Sequence, residues 1–166
     1  MKDEQRKILK LINEATNRMD LNMFAEAVEL TPSVTIANVQ TLTKEGFLRK
    51  LDSGYGLTEK GKNTLKATAA VPQEKAFQFY RDVDKPLESS AGSLEEFYRQ
   101  IKQVGLDSLD FHLYRDDFEN WLRQVIGNEE LADEAIKFKE TRLCGEELRN
   151  ALLKSIDASY SIENAQ

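Results

Sequence analysis

His112 is the single histidine of the chain, and it stands in a run rich in charged groups. Arg115 follows at i+3, Asp116 at i+4 and Glu119 a turn further. On a helix these offsets fall on one face. An imidazole beside carboxylates has the groups needed to hold a metal ion or to move a proton. One histidine leaves too few ligands for a tight metal site and nothing to complete a triad. The plainer expectation is a partly buried imidazole hydrogen-bonded to a carboxylate. Cys144, the only cysteine, lies between Leu143 and Gly145 at an expected helix start, where backbone amides lower a thiol pKa; as a small apolar residue it would simply be buried. A lone cysteine excludes an internal disulfide and zinc sites built on several thiolates. Phe111, Tyr114, Phe118 and Trp121 recur at helical spacing. Such a stripe can form a partner surface, but its period is that of a core-facing helix. No Gly-rich phosphate loop, nucleophile elbow or HExxH motif is present. The sequence therefore implies no catalytic residue, no metal and no cofactor, and the expectation is a protein that is not an enzyme.

The elements that must position these residues are mostly helices. Ile8, Leu11, Ile12 and Ala15 share one helical face, which predicts a first helix over about 3–15. Asp20 is an N-cap for a second helix over about 21–28, with Met23, Phe24, Ala27 and Val28 inward. Thr31 followed by Pro32 starts a third helix that runs to Glu45 and stops at Gly46. The period then changes. Residues 47–52 read as a strand, Ser53 and Gly54 as a turn, and 55–57 as a short return strand. Thr58 caps a fourth helix to about residue 67. Residues 68–92 are expected as a linker and an irregular segment: 82–92 as a polar loop, 77–80 as a strand or a short helix end. Ser93 with Glu96 forms a capping box for a helix that buries Leu94, Phe97 and Ile101. A helical stretch from about 107 to 127, breakable near Arg115 and Asp116, is followed by helices over 129–139 and 145–158. A frayed tail is expected over 159–166.

Charge divides the chain in a similar way. Residues 1–66 hold 11 Lys/Arg and 9 Asp/Glu, a net of +2; the rest holds 12 and 20, a net of −8. A polyanion is tolerated by the first part and repelled by the second. No run approaches the ~18 apolar residues of a membrane span, and the start, MKDEQRK, is too polar for a secretion signal. With the lone cysteine, these features imply a cytoplasmic protein with no membrane partner.

Leu42-Thr43-Lys44-Glu45-Gly46-Phe47-Leu48, then Tyr55-Gly56-Leu57-Thr58-Glu59-Lys60-Gly61-Lys62, resembles the core of archaeal and bacterial winged-helix regulators. The resemblance covers roughly residues 5–66. It implies a winged helix-turn-helix over 1–67, mainly α with a small β-hairpin wing, whose third helix lies in the major groove of double-stranded DNA. Mapped by position, the DNA-binding residues are Ser33, Val34, Ile36, Ala37, Gln40, Thr41 and Lys44 on that helix and Arg49 and Lys50 on the wing. Thr35, Val39 and Leu42 face inward. Ser33 and Gln40 bond bases or phosphates, Thr41 and Lys44 bond phosphate, and Val34, Ile36 and Ala37 meet thymine methyls or another protein.

Residues 93–158 are expected as a helical domain. Over 93–156 the sequence resembles a small uncharacterised domain found mainly in archaea, carried by Ser93-Leu94-Glu95-Glu96-Phe97, Ser108-Leu109-Asp110-Phe111-His112, Asp117-Phe118-Glu119-Asn120-Trp121-Leu122 and Gly127-Asn128-Glu129-Glu130-Leu131-Ala132, and closed by Gly145-Glu146-Glu147-Leu148-Arg149. The resemblance implies an independently folding module without known activity. Together the two halves imply a DNA-binding transcriptional regulator acting as a homodimer. The alternative is an adaptor that docks an unknown protein partner on the winged-helix fold.

Overall fold

The computed structural model describes residues 1–15, 20–160 and 162. The elements are mainly helical with two small antiparallel hairpins. They group into two compact units, one built on Met1–Lys66 and the other on Ala67–Glu163. Among the described residues no helix is long and apolar enough to cross a membrane.

The first unit runs α1 (Asp3–Glu14), α2 (Leu21–Ala27), α3 (Pro32–Lys44), β1 (Leu48–Leu51), β2 (Gly54–Leu57) and α4 (Glu59–Thr68), whose end passes into the second unit. Its core is Ile8, Leu9, Val28, Val39, Leu42, Phe47, Leu48 and Leu57. In α1 the buried positions are Gln5, Ile8 and Leu9, while Leu11 and Ile12 are half-buried and Ala15 is exposed. Ile8, Leu11 and Ile12 thus pack on the core as expected and Ala15 does not, while Gln5 and Leu9 widen the buried face. Gln5 is buried because its Oε1 accepts the Lys2 backbone N–H (3.1 Å), one of the amides a helix start leaves without a partner. In α2 the Asp20 carboxylate takes the Met23 N–H (2.9 Å). Of the expected inward set of α2, Val28 is buried and Phe24 packs half-buried on the core, but Met23 (54% exposed) and Ala27 face solvent, and Ala25 is buried in their place. A seven-residue helix offers two plausible apolar faces, and packing against α3 selects one.

The second unit contains β3 (Phe77–Asp82), β4 (Lys85–Ala91), α5 (Leu94–Gln103), α6 (Leu106–Tyr114), α7 (Asp117–Trp121), a π-helical turn (Leu122–Ile126), α8 (Glu129–Glu140) and α9 (Gly145–Tyr160). Two expectations fail here. Residues 82–92 are not a polar loop, and of the two forms left open for 77–80 the strand is the one that forms: 77–91 is a bulged hairpin, with Phe77 opposite Ala91 and Tyr80 opposite Pro86. Phe77 and Phe79 alternate into the core with their rings 4.8 Å apart; Phe97 packs on both (5.2 and 5.8 Å), and Phe118 and Trp121 on Phe77 (5.4 and 5.6 Å). The tail expected to fray over 159–166 is helical through Tyr160, which is buried and accepts a 2.7 Å bond from Asn128 Nδ2; Ile162 is buried as well. The remainder of that tail, 161 and 163–166, lies outside the described residues.

The helical stretch expected over 107–127 breaks where the sequence allowed it, at Arg115 and Asp116, and α7 then runs on into the π-helical turn. Asp116 adopts φ +64°, a left-handed conformation that a helix interior does not accept, so α6 ends and α7 restarts in a new direction. The aromatic stripe divides with it: Phe118 and Trp121 are buried, Phe111 is half-buried and Tyr114 is exposed.

Candidate nucleic-acid interface

The surface built by α3 and the β1–β2 hairpin is held by a clasp at the end of α3. Thr31 Oγ1 accepts the Val34 N–H (3.4 Å), and Pro32 occupies the first helical position, where no N–H is needed. At the other end Gly46, at φ +81°, reverses the chain, and the Phe47 N–H bonds the Leu42 carbonyl (2.9 Å). Thr58 then closes the clasp. Its hydroxyl donates to the Gly46 carbonyl (2.6 Å) and accepts the Gly61 N–H (3.1 Å), joining the start of α4 to the end of α3. Lys60 bonds the Glu45 carbonyl (2.8 Å) with its Nζ 4.2 Å over the Phe47 ring. Gly61 is required for contact rather than for φ: a Cβ there would stand 2.3 Å from the Phe47 carbonyl oxygen.

Thr35, Val39 and Leu42 are buried, so α3 is anchored along one side. Ser33, Val34, Ile36, Ala37, Gln40, Thr41 and Lys44 are all exposed on the other, and Arg49 and Lys50 are exposed on β1. Their chemistry differs in availability. Thr41 donates its proton to the Ala37 carbonyl (3.0 Å), so it offers no hydrogen to a phosphate while that bond lasts. Ser33 Oγ lies 3.3 Å from Thr31 Oγ1. Among the described residues Gln40, Lys44, Arg49 and Lys50 have no side-chain hydrogen bond or ion pair. Arg49 faces Gly56 across the hairpin and Lys50 faces Tyr55. Successive strand residues point to opposite faces, so the two hairpin cations are not brought to one side.

The residues that suggested other chemistry take structural roles. His112 is buried, and both ring nitrogens are engaged: Nε2 accepts the Tyr80 backbone N–H and Nδ1 lies against Asp117 Oδ2, each at 2.8 Å. Acceptance at Nε2 places the proton on Nδ1. Burial pushes the imidazole below its ordinary pKa, and the hydrogen bond to Asp117 offsets that only in part. The carboxylate partner is thus Asp117 and not Asp116 at i+4, because the left-handed Asp116 turns the chain before the next residue returns to the ring. Asp116 pairs with Lys139 (2.6 Å) and Glu119 with Arg123 (3.5 Å), so the expected acidic face does not assemble. Among the described residues no group of three metal-ligating side chains occurs. Ser108, one turn before His112, donates to the Tyr80 carbonyl (2.7 Å). The two α6 side chains thereby satisfy both backbone groups of Tyr80 on β3, sealing a strand edge that would otherwise be open. Cys144 is exposed rather than buried. A shallow cleft of about 550 Å³ in the second unit is lined by Phe77, Tyr80, Phe111, His112, Asp117 and Trp121 among others. Since the imidazole is bonded at both nitrogens, it brings no free base to that cleft.

Sequence reasoning missed Phe77, Tyr80 and Asp117 as partners of His112. The usable signal was the Phe77/Phe79 alternation, which is a strand period. No curated protein and no solved structure matches the chain. One family model matches residues 15–157, a span that runs through both compact units, and on that match the chain belongs to the family described as a family of unknown function (DUF5752).

Proposed function

We propose that this protein is a DNA-binding transcriptional regulator in which the first unit acts as a winged helix. The third helix enters the major groove and the β1–β2 hairpin lies on the sugar–phosphate backbone. The observation that carries the reading is the two-sided burial of α3. Its inward residues are locked into the core, while all seven outward positions and both wing cations stand exposed. Lys44, Arg49 and Lys50, free of ion pairs among the described residues, supply phosphate neutralisation. The net −8 of residues 67–166 suits the second unit to dimerisation, sensing or recruitment rather than to contact with a polyanion. A dimer doubles the cations offered to the duplex.

A second reading has an observation of its own. Val34, Ile36, Leu51 and Tyr55 are 39–44% exposed, and such residues also suit a protein-docking face. The test is binding of the full chain to a library of genomic duplex fragments, with Lys44→Glu/Lys50→Glu as the comparison. Salt-sensitive binding that the double variant abolishes is expected. Absence of salt-sensitive binding to every fragment refutes the regulator reading; a protein partner retained by the double variant then favours the adaptor.

A further inference from the structure

We infer that the α3 face selects A·T-rich duplex, reading thymine methyl groups and an adenine edge rather than G·C pairs. The inference rests on the DNA-binding reading above and names what that surface reads. In the major groove guanine is recognised chiefly by Arg or Lys at O6 and N7, and the cytosine amino group by Asp or Glu. Within α3 there is no Arg, Asp or Glu, and the sole Lys is the last residue, Lys44. The N-terminal part of the helix, the part nearest the base edges in helix-turn-helix docking, carries none of these charges.

What α3 does present is apolar. Val34 is 39% exposed and Ile36 41%, and Ala37 is exposed beside them. The thymine C5-methyl is the one apolar group on the major-groove edge of a base pair. The polar groups of the helix are largely committed to its own backbone. Thr35, Thr41 and Thr43 donate to the carbonyls of Thr31, Ala37 and Val39, and the Asn38 amide to that of Val34. Gln40 is exposed with no such bond among the described residues, one turn beyond Ile36. A carboxamide forms a bidentate pair with adenine N6 and N7. Three apolar groups and one free carboxamide match A·T pairs, and Ser33, whose hydroxyl can bond either pair, adds no preference for G·C.

The test uses the full chain and fluorescence anisotropy at fixed salt. Three sets of duplexes of equal length are compared: A·T-rich, G·C-rich, and A·T-rich with 2′-deoxyuridine in place of thymidine. The A·T-rich set is expected to bind at least about tenfold more tightly than the G·C-rich set. Uracil lacks only the methyl, and its substitution costs about fourfold for each methyl contacted. In Val34→Ser/Ile36→Ser, two changes at exposed positions checked by thermal melting, the penalty for uracil shrinks to at most the single methyl contact left to Ala37, about fourfold. Gln40→Ala weakens binding to the A·T-rich set more than to the G·C-rich set. Equal affinity for the A·T-rich and G·C-rich sets, or no loss with uracil, overturns the inference while salt-sensitive binding keeps the regulator reading. No binding to any set overturns both.

Discussion

On the proposed DNA-binding reading, the salt dependence of duplex binding follows from the cations that the surface leaves unpaired. Each chain offers Lys44, Arg49 and Lys50, and the two wing residues lie on opposite faces of the hairpin. In that reading two or three phosphates would be neutralised per chain, and four to six by a dimer. Each neutralised phosphate contributes about −0.9 to the slope of log K against log salt. The dimer is expected to show a slope between about −3.6 and −5.4, and a monomer about −1.8 to −2.7. Between 50 and 200 mM salt, affinity then falls roughly 150- to 1,800-fold for the dimer but only about 10- to 40-fold for a monomer. The assay is a titration of one labelled duplex at several salt concentrations, repeated with Lys44→Ala, Arg49→Ala and Lys50→Ala. Lys44→Ala reduces the dimer's slope by about 1.8, since two copies are removed together, and at least one wing variant does the same. A slope that none of the three substitutions changes would show that phosphate contacts lie elsewhere, and it would remove α3 and the hairpin as the interface.

Gly61→Ala is expected to destabilise the protein by about 1–3 kcal/mol through forced displacement of packed backbone, because its Cβ would stand 2.3 Å from the Phe47 carbonyl oxygen; denaturant unfolding measures this, and an unchanged midpoint counts against the clasp. For His112 the folded pKa lies below the unfolded value of about 6.5, so the unfolded state binds more protons in that window. Its contribution to stability is complete above about pH 6.5 and is lost as pH falls from there through the folded pKa; His112→Gln should flatten the fall, and an unaltered pH slope contradicts the bonding described.

The clasp was legible in the sequence because every part of it is local. Thr31 before Pro32, Gly46 after the last apolar turn and Thr58 before α4 each act on backbone groups two to four residues away or just across a hairpin. The exposed face of α3 followed from its period once the start was set. The second unit was less legible because its key bonds span long separations. Lys85–Ala91 is polar and contains Pro86, so nothing in its own residues announces a strand. Its partner β3 is completed by Ser108 and His112, 28 and 32 residues beyond Tyr80. The identity of the carboxylate facing His112 depended on the left-handed Asp116, and φ at a single Asp is not readable from spacing.

The shortage of cations constrains how such a surface can work. Nonspecific affinity comes almost wholly from phosphate neutralisation, and two or three contacts per chain provide little of it. A regulator that binds weakly to bulk DNA must obtain a larger share of its affinity from base contacts and from pairing two chains on adjacent half-sites. The exposed Val34, Ile36 and Ala37 are then not a defect of a DNA-binding face. Contacts between apolar groups depend little on salt, so they raise affinity for the right site without raising it for every other site. In such a regulator the acidic second unit would act in the same direction, because its net −8 repels phosphate non-selectively. Adding arginines to α3 should therefore increase affinity for all duplexes together and lower the ratio between A·T-rich and G·C-rich sites.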